Sequence, residues 1–261
     1  MDHKIFFFDI DGTLTDDRNH KIVPSAKEAI CLLQKAGHFV ALATGRFHYK
    51  TVSVAKELGI KHFVCSGGAC LVLNDQIIKN EVLDLTKVKT YLKNAEKNNL
   101  GYLLLREDND SVDMKDFKFL EQAGLRKELT TYHYRPDLDV YALKDIYKIY
   151  LALKKEDENK YPWLKLLGHL RMTDNYIVVQ HDKKDEGIRE LLQIINAQAK
   201  QVVVFGDGDN DQVMFQKQYF KVAMANGSKS LQKMADYVCE KSYEDGIYKT
   251  CLKFNWFKKE K

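Results

Sequence analysis

The sequence predicts an α/β protein: a parallel-sheet core interrupted by an α+β insertion. Three observations lead there. Over the first third, short apolar runs alternate with segments of helical spacing, the pattern of parallel strands joined by right-handed crossovers. The same pattern resumes after Asp182. Between them, from about Val82 to Gln180, the chain is richer in Lys, Tyr and Leu and loses its Gly-marked strand ends. The expected division is a discontinuous core of residues 1–81 and 182–261, with residues 82–181 inserted.

Taken in order, Ile5-Phe6-Phe7-Phe8 is a continuous apolar run, as a strand buried on both faces requires. Ala26, Ala29, Ile30 and Leu33 recur at helical spacing, which predicts a helix over Ser25–Ala36 that stops at Gly37. Phe39–Ala43 is a second strand. A helix through Val52, Ala55 and Leu58 closes at Gly59, and His62–Cys65 is a third strand. Leu71–Leu73 and Ile77-Ile78 flank Asn74-Asp75 as a small hairpin. In the insertion, a helix is expected over Thr86–Lys97, with strands at Tyr102–Arg106 and Tyr147–Leu153. A helix start at Tyr161-Pro162-Trp163 precedes strands near His169–Met172 and Ile177–Gln180. A helix over Asp185–Ala199 and a strand at Val202–Phe205 return the chain to the core.

A chain of 261 residues suits one or two domains. Its net charge of +4, from 41 basic and 37 acidic residues, is too mild to argue for nucleic acid. It is compatible with a small anionic substrate. No apolar run approaches the roughly 18 residues of a membrane helix, and no secretory leader pattern follows Met1, so a cytoplasmic protein away from the membrane is expected. The five cysteines (Cys31, Cys65, Cys70, Cys239 and Cys251) are odd in number and contain no Cys-x-x-Cys pair, which favours reduced thiols over a disulfide framework. His62 and His169 lack partners at ligand spacing, and Tyr147, Tyr150 and Leu153 suit a sheet face or core. Lys258–Lys261 reads as a solvated tail. Nothing in the sequence sets an oligomeric state.

The chemistry sits at strand ends. The first strand stops at Asp9-Ile10-Asp11-Gly12-Thr13, and open α/β sheets bind ligands beyond the carboxyl ends of their strands. Two carboxylates this close, both ionised at neutral pH, suggest a Mg²⁺ site, a carboxylate nucleophile, or both. Alone, the same residues make an ordinary capped turn. The second strand stops at Thr44-Gly45-Arg46, which offers a hydroxyl, close backbone approach and a cation. Lys183-Lys184-Asp185-Glu186-Gly187 opens a helix, and a lysine there would offset charge around a phosphate. Gly206-Asp207-Gly208-Asp209-Asn210-Asp211 superficially resembles a calcium loop, but Gln212 and Gln218 stand where that loop needs Gly and Glu.

Together, Asp9-x-Asp11-Gly-Thr, Ala43-Thr44-Gly45-Arg46, Lys184 and Gly206–Asp211, in this order, resemble the haloacid dehalogenase superfamily. Val222-Ala223-Met224-Ala225-Asn226-Gly227 and Glu244-Asp245-Gly246-Ile247 are similar to signatures of its Cof-like phosphatase branch. The resemblance implies a Rossmann-like hydrolase core with the insertion as a cap. It implies Mg²⁺ held by Asp9, the Asp11 carbonyl and Asp207, and Asp9 as a nucleophile that forms an aspartyl-phosphate. Asp11 would be the acid and base, a placement that favours phosphatase over dehalogenase chemistry. Thr44 and Lys184 would stabilise the transferring group, with Asp211 behind them. Ile10, Gly45, Arg46 and Asn210 are the implied phosphate or substrate contacts.

Two departures stand out. Lys184 is followed by Asp185 rather than Gly, which leaves Lys183 as the alternative lysine. Gly67-Gly68-Ala69 replaces the branch's usual Asn-Gly-Ala, which removes an amide from the substrate side. The expected activity is Mg²⁺-dependent hydrolysis of a small phosphate monoester, of the sugar phosphate or pyridoxal phosphate class. The alternatives are a phosphomutase on the same scaffold and a non-catalytic phosphometabolite-binding protein.

Overall fold

The computed structural model describes residues 3–258. The chain divides into two compact units: one comprises the chain up to Asn80 and again from Asp182, the other Glu81–His181.

The first unit opens with β1 (Ile5–Phe8), α1 (Pro24–Lys35), β2 (Phe39–Ala43), α2 (His48–Leu58), β3 (Phe63–Cys65), β4 (Cys70–Leu73) and β5 (Gln76–Asn80). The second unit contains α3 (Leu85–Lys97), β6 (Tyr102–Leu105), β7 (Ser111–Met114), α4 (Lys118–Ala123), β8 (Thr131–Tyr134), β9 (Lys148–Ala152), β10 (Leu170–Arg171) and β11 (Tyr176–Val179). The chain then returns through α5 (Lys184–Ile194), β12 (Val202–Gly206), β13 (Phe220–Met224), α6 (Lys229–Met234), β14 (Tyr237–Cys239) and α7 (Gly246–Lys253).

Among the described residues of the first unit, eight strands form one sheet in the order β14-β13-β12-β1-β2-β3-β4-β5. It is parallel from β14 to β3 and antiparallel through β4 and β5. Because successive side chains on a strand point to opposite faces, β1 feeds two apolar layers. Phe6 and Phe8 pack with Ala29, Ile30 and Leu33 of α1 and with Trp256. Ile5 and Phe7 pack with Ile188 and Leu191 of α5. β1 lies between β2 and β12, so the connections diverge at its carboxyl end and leave a crevice there.

In the second unit, six strands run in the order β10-β11-β9-β6-β7-β8. The Asp84 carboxylate caps α3 by accepting the N–H groups of Thr86 and Lys87. Val88, Tyr91, Leu92 and Ala95 of that helix pack on Tyr102, Leu104, Ile149 and Leu151.

Some elements differ from expectation. α5 ends at Ile194 rather than Ala199, because Asn196 turns left-handed (φ 51°) and the Ala197 N–H bonds back to the Leu192 carbonyl at 2.9 Å. The helix expected at Tyr161 is a tighter 3₁₀ stretch, Pro162–Leu166. β7 and β8 gave no apolar run, since Ser-Val-Asp-Met and Thr-Tyr-His-Tyr present a polar or half-exposed face at the rim of their sheet. Beyond Lys258, the expected tail lies outside the described residues. Among those residues, no helix is long and apolar enough to cross a membrane.

Candidate active site

Strand register assembles the site. Phe8 pairs with Leu42 on one side and Phe205 on the other, and the Asp9 N–H donates to the Phe205 carbonyl at 3.0 Å. The residues that follow each strand, Asp9, Thr44 and Asp207, therefore emerge at one level. Asp9 is in phase with Ile5 and Phe7, whose layer includes α5. On α5, Lys184, Ile188 and Leu191 lie on one face at helical spacing. Lys184 thus rises beside Asp9. Its Nζ donates to Asp9 Oδ1 at 2.8 Å and to Asp211 Oδ1 at 2.6 Å, and its side chain is 1% exposed. Lys183 is one position off this face, and its Nζ lies 3.7 Å from Glu186.

The Asp207–Asp211 loop is held from inside. Asp211 Oδ2 accepts the N–H groups of Asp207 at 3.0 Å and Gly208 at 3.1 Å. Thr13 Oγ1 donates to Asp207 Oδ1 at 3.0 Å. The Ser228 N–H donates to the Asp207 carbonyl at 2.7 Å, and a Cβ on Gly227 would lie 2.4 Å from that same oxygen. Asn226 Nδ2 donates to the Gly12 carbonyl at 2.8 Å while its Oδ1 accepts the Ser242 N–H at 2.9 Å. Asn226 therefore ties the first loop to the last. Sequence reasoning assigned no role to Thr13, Asn226 or Ser228; the Met-Ala-Asn-Gly run around Gly227 was the available signal.

Carboxylate oxygens of Asp9, Asp207 and Asp211 lie within 4.8 Å of one another. Burial pushes the Asp9 carboxyl well above the usual carboxylate range; Asp211 adds to this and Lys184 opposes it. Burial, then the Asp211 charge, pushes Asp207 up to about 7. For Lys184, burial works against the charged form, yet Asp9 and Asp211 outweigh it and raise its pKa. One ammonium does not balance three carboxylates. An all-oxygen cluster with excess negative charge suits a hard divalent cation such as Mg²⁺. Both oxygens of Asp211 are already engaged, which leaves Asp9 and Asp207 as the more open donors.

A second pair lies outside this cluster. Arg46 Nε donates to Asp11 Oδ2 at 2.9 Å and Nη2 to Oδ1 at 2.5 Å. Thr44 is buried, and its Oγ1 accepts the Arg46 N–H at 3.1 Å across half-buried Gly45. The Ile10 carbonyl accepts the N–H groups of Leu14 and Thr15 and the Thr15 hydroxyl, while its side chain is buried in the core. Asn210 is exposed and folds back over Gly208. His62 stacks on Phe39, and His169 bonds Glu158 at 2.6 Å. Neither histidine belongs to an acidic or thiol cluster of ligand type among the described residues.

The chain matches the haloacid dehalogenase-like hydrolase family over residues 6–250. It is 32% identical over 253 residues to YkrA of Bacillus subtilis (strain 168), a candidate phosphatase, covering 95% of this chain and 96% of the relative. It is 23% identical over 250 residues to a phosphoglycolate phosphatase of Methanobrevibacter smithii, covering 94% and 96% of the two chains. Among solved structures, a hypothetical protein of Geobacillus kaustophilus HTA426 superposes with a TM-score of 0.85 at 28% identity, covering 98% of this chain and 100% of the other.

Proposed function

Since the chain belongs to the haloacid dehalogenase-like hydrolases, we propose that it is a Mg²⁺-dependent phosphatase of small phosphate monoesters that works through an aspartyl-phosphate. The observation that carries this reading is the buried Lys184 shared by Asp9 and Asp211, with the Asp207 carboxylate beside them. Asp9, Asp207 and the main-chain carbonyl of Asp11 would hold the cation. When bound, the cation reduces the repulsion between an anionic nucleophile and an anionic ester and orients the phosphoryl group.

The side chains then divide the work. Lys184 opposes the burial that disfavours the ionised form of Asp9 and fixes the position of its Oδ1. Asp9 attacks phosphorus, a new O–P bond forms, and the ester O–P bond breaks. Asp11 gives its proton to the leaving oxygen, so the alcohol departs neutral. Water then attacks the phosphoryl group on Asp9, Asp11 takes its proton, and inorganic phosphate leaves with Asp9 restored. Thr44 donates its hydroxyl to a transferring oxygen. The Arg46 fork, bonded to both oxygens of Asp11, fixes the plane of the carboxyl group. Release of that pair would let the Arg46 guanidinium turn to the phosphate as the substrate arrives.

In this reading residues 82–181 are the cap and residues 1–81 with 182–261 the catalytic core, in a cytoplasmic enzyme. Its substrate is a small soluble ester of the sugar phosphate or pyridoxal phosphate class. The test is phosphate release from a panel of esters with Mg²⁺, beside EDTA and Asp9→Asn controls. Metal-dependent release that vanishes in Asp9→Asn is expected; full activity in that variant would sink the mechanism.

A further inference from the structure

We propose that Cys65 and Cys70 form a redox modification site, a thiol pair that hydrogen peroxide closes into a disulfide, and that closure slows turnover at the neighbouring site. The formation of the bond is independent of the phosphatase reading; its effect on turnover rests on it.

Cys65 and Cys70 face each other across the β3–β4 ladder, joined by residues 66–69. The Leu42 and Thr44 N–H groups bond the His62 and Val64 carbonyls. Residues 62 and 64 therefore turn their backbone polar groups to β2, and the intervening residues, Phe63 and Cys65, turn theirs to β4. This makes Cys65 and Cys70 a hydrogen-bonded antiparallel pair, with Cα atoms about 5.5 Å apart. Disulfides span Cα separations of about 4.4–6.8 Å, so the backbone already stands at bonding distance. Both side chains are buried in one apolar layer with Phe63 and Val72, and both are thiols in this structure.

Opposed Cβ atoms in a sheet lie about 4.5–5.5 Å apart, against about 3.8 Å in a disulfide, so closure tilts the two residues until their Cβ atoms are about 1 Å closer. The movement falls on the connection, where Ser66, Gly67 and Gly68 take successive positive φ values of 52°, 63° and 96°. That connection seats the active site. The Ser66 N–H donates to the Arg46 carbonyl at 2.7 Å and the Gly67 N–H to the Thr44 carbonyl at 3.2 Å. The Lys183 N–H donates to the Gly67 carbonyl at 2.7 Å. A Cβ on Gly68 would lie 2.1 Å from the Lys183 carbonyl oxygen, so the packing there has no slack.

The chemistry balances without another reactant. One thiol loses its proton and, as the thiolate, attacks a peroxide oxygen to become a sulfenic acid; the O–O bond breaks, and the departing hydroxide takes up that proton and leaves as water. The second thiol attacks that sulfur, and the S–O bond breaks with release of a second water. Burial makes the reaction slow, since peroxide enters through local opening of the hairpin.

The test uses the full chain with its exposed thiol removed by Cys31→Ser. Peroxide treatment should remove two hydrogens, and peptide mapping should find Cys65 bonded to Cys70. Phosphate release should fall by about tenfold or more, the scale of a 1 Å displacement in an active site, and recover with dithiothreitol. Cys70→Ser and Cys70→Ala should each keep full activity through the same treatment. No Cys65–Cys70 bond, a bond with unchanged turnover, or equal loss in the Cys70 variants would overturn the proposal. If the reduced protein releases no phosphate, the phosphatase reading fails instead, and mapping of the bond still decides whether the modification site exists.

Discussion

The Arg46 guanidinium grips both carboxylate oxygens of Asp11, with Nε 2.9 Å from Oδ2 and Nη2 2.5 Å from Oδ1. The side chains are 27% and 56% exposed, so the pair contributes at most about 1 kcal/mol to stability. Its importance is geometric. Arg46→Lys keeps the charge and loses the planar fork. Its kcat should fall by about tenfold or more while the denaturation midpoint barely moves. Steady-state phosphate release beside urea unfolding checks this, and an unchanged kcat would count against a positioning role.

Lys184 presents the opposite balance. Lys184→Met leaves the Asp9 and Asp211 carboxylates buried against each other. Removing one partner of a buried pair costs about 3–5 kcal/mol. Urea unfolding without divalent metal should show a loss of that size, and adding Asp211→Asn should recover part of it.

Metal binding should depend on pH through Asp207. Its folded pKa is raised to about 7, against about 3.9 for an unperturbed Asp. The folded state therefore keeps a proton that the unfolded state has released. The stability tied to that proton is complete below about pH 4 and lost as pH rises through about 7. A cation has to displace the same proton. Mg²⁺ affinity should climb as pH rises from 5.5 through 7. Titration calorimetry at several pH values checks this; a flat profile, or one unaltered by Asp207→Asn, would refute it.

Gly12 and Gly37 form a matched pair of tests. Both have positive φ, 78° and 82°, so alanine at either costs about 1–3 kcal/mol of backbone strain. Nothing lies within 4 Å of a Cβ at Gly37, whereas at Gly12 it would sit 2.2 Å from Asp207 Oδ2. Gly12→Ala should weaken Mg²⁺ binding as well as stability, and Gly37→Ala should lower stability alone. Calorimetry and thermal melting separate the two.

Local chemistry was legible in the sequence because it is written in short range. The all-apolar run Ile5–Phe8 that ends at Asp9, the Gly59 that stops α2 and the Asn74-Asp75 turn each depend on a few adjacent residues, and the structure forms all three. So does the order of strand-end motifs from Asp9 to Asp211. The edge strand β8 and its neighbour β7 were not legible, since neither carries an apolar run. The short stretch Asp209–Met214, a 3₁₀ helix, left no periodic trace either. Two things only the tertiary structure decided. The different surroundings of Lys184 and Lys183 follow from the phase of α5 against the sheet, which puts one ammonium between two carboxylates and the other beside Glu186. The joining of Thr13 to Asp207 and of Asn226 to Gly12 spans 194 and 214 residues of sequence. The physical reason is one of range. A residue's neighbours along the chain set its own conformation, whereas the groups that share its charge and fill its hydrogen bonds are brought to it by sheet order and register.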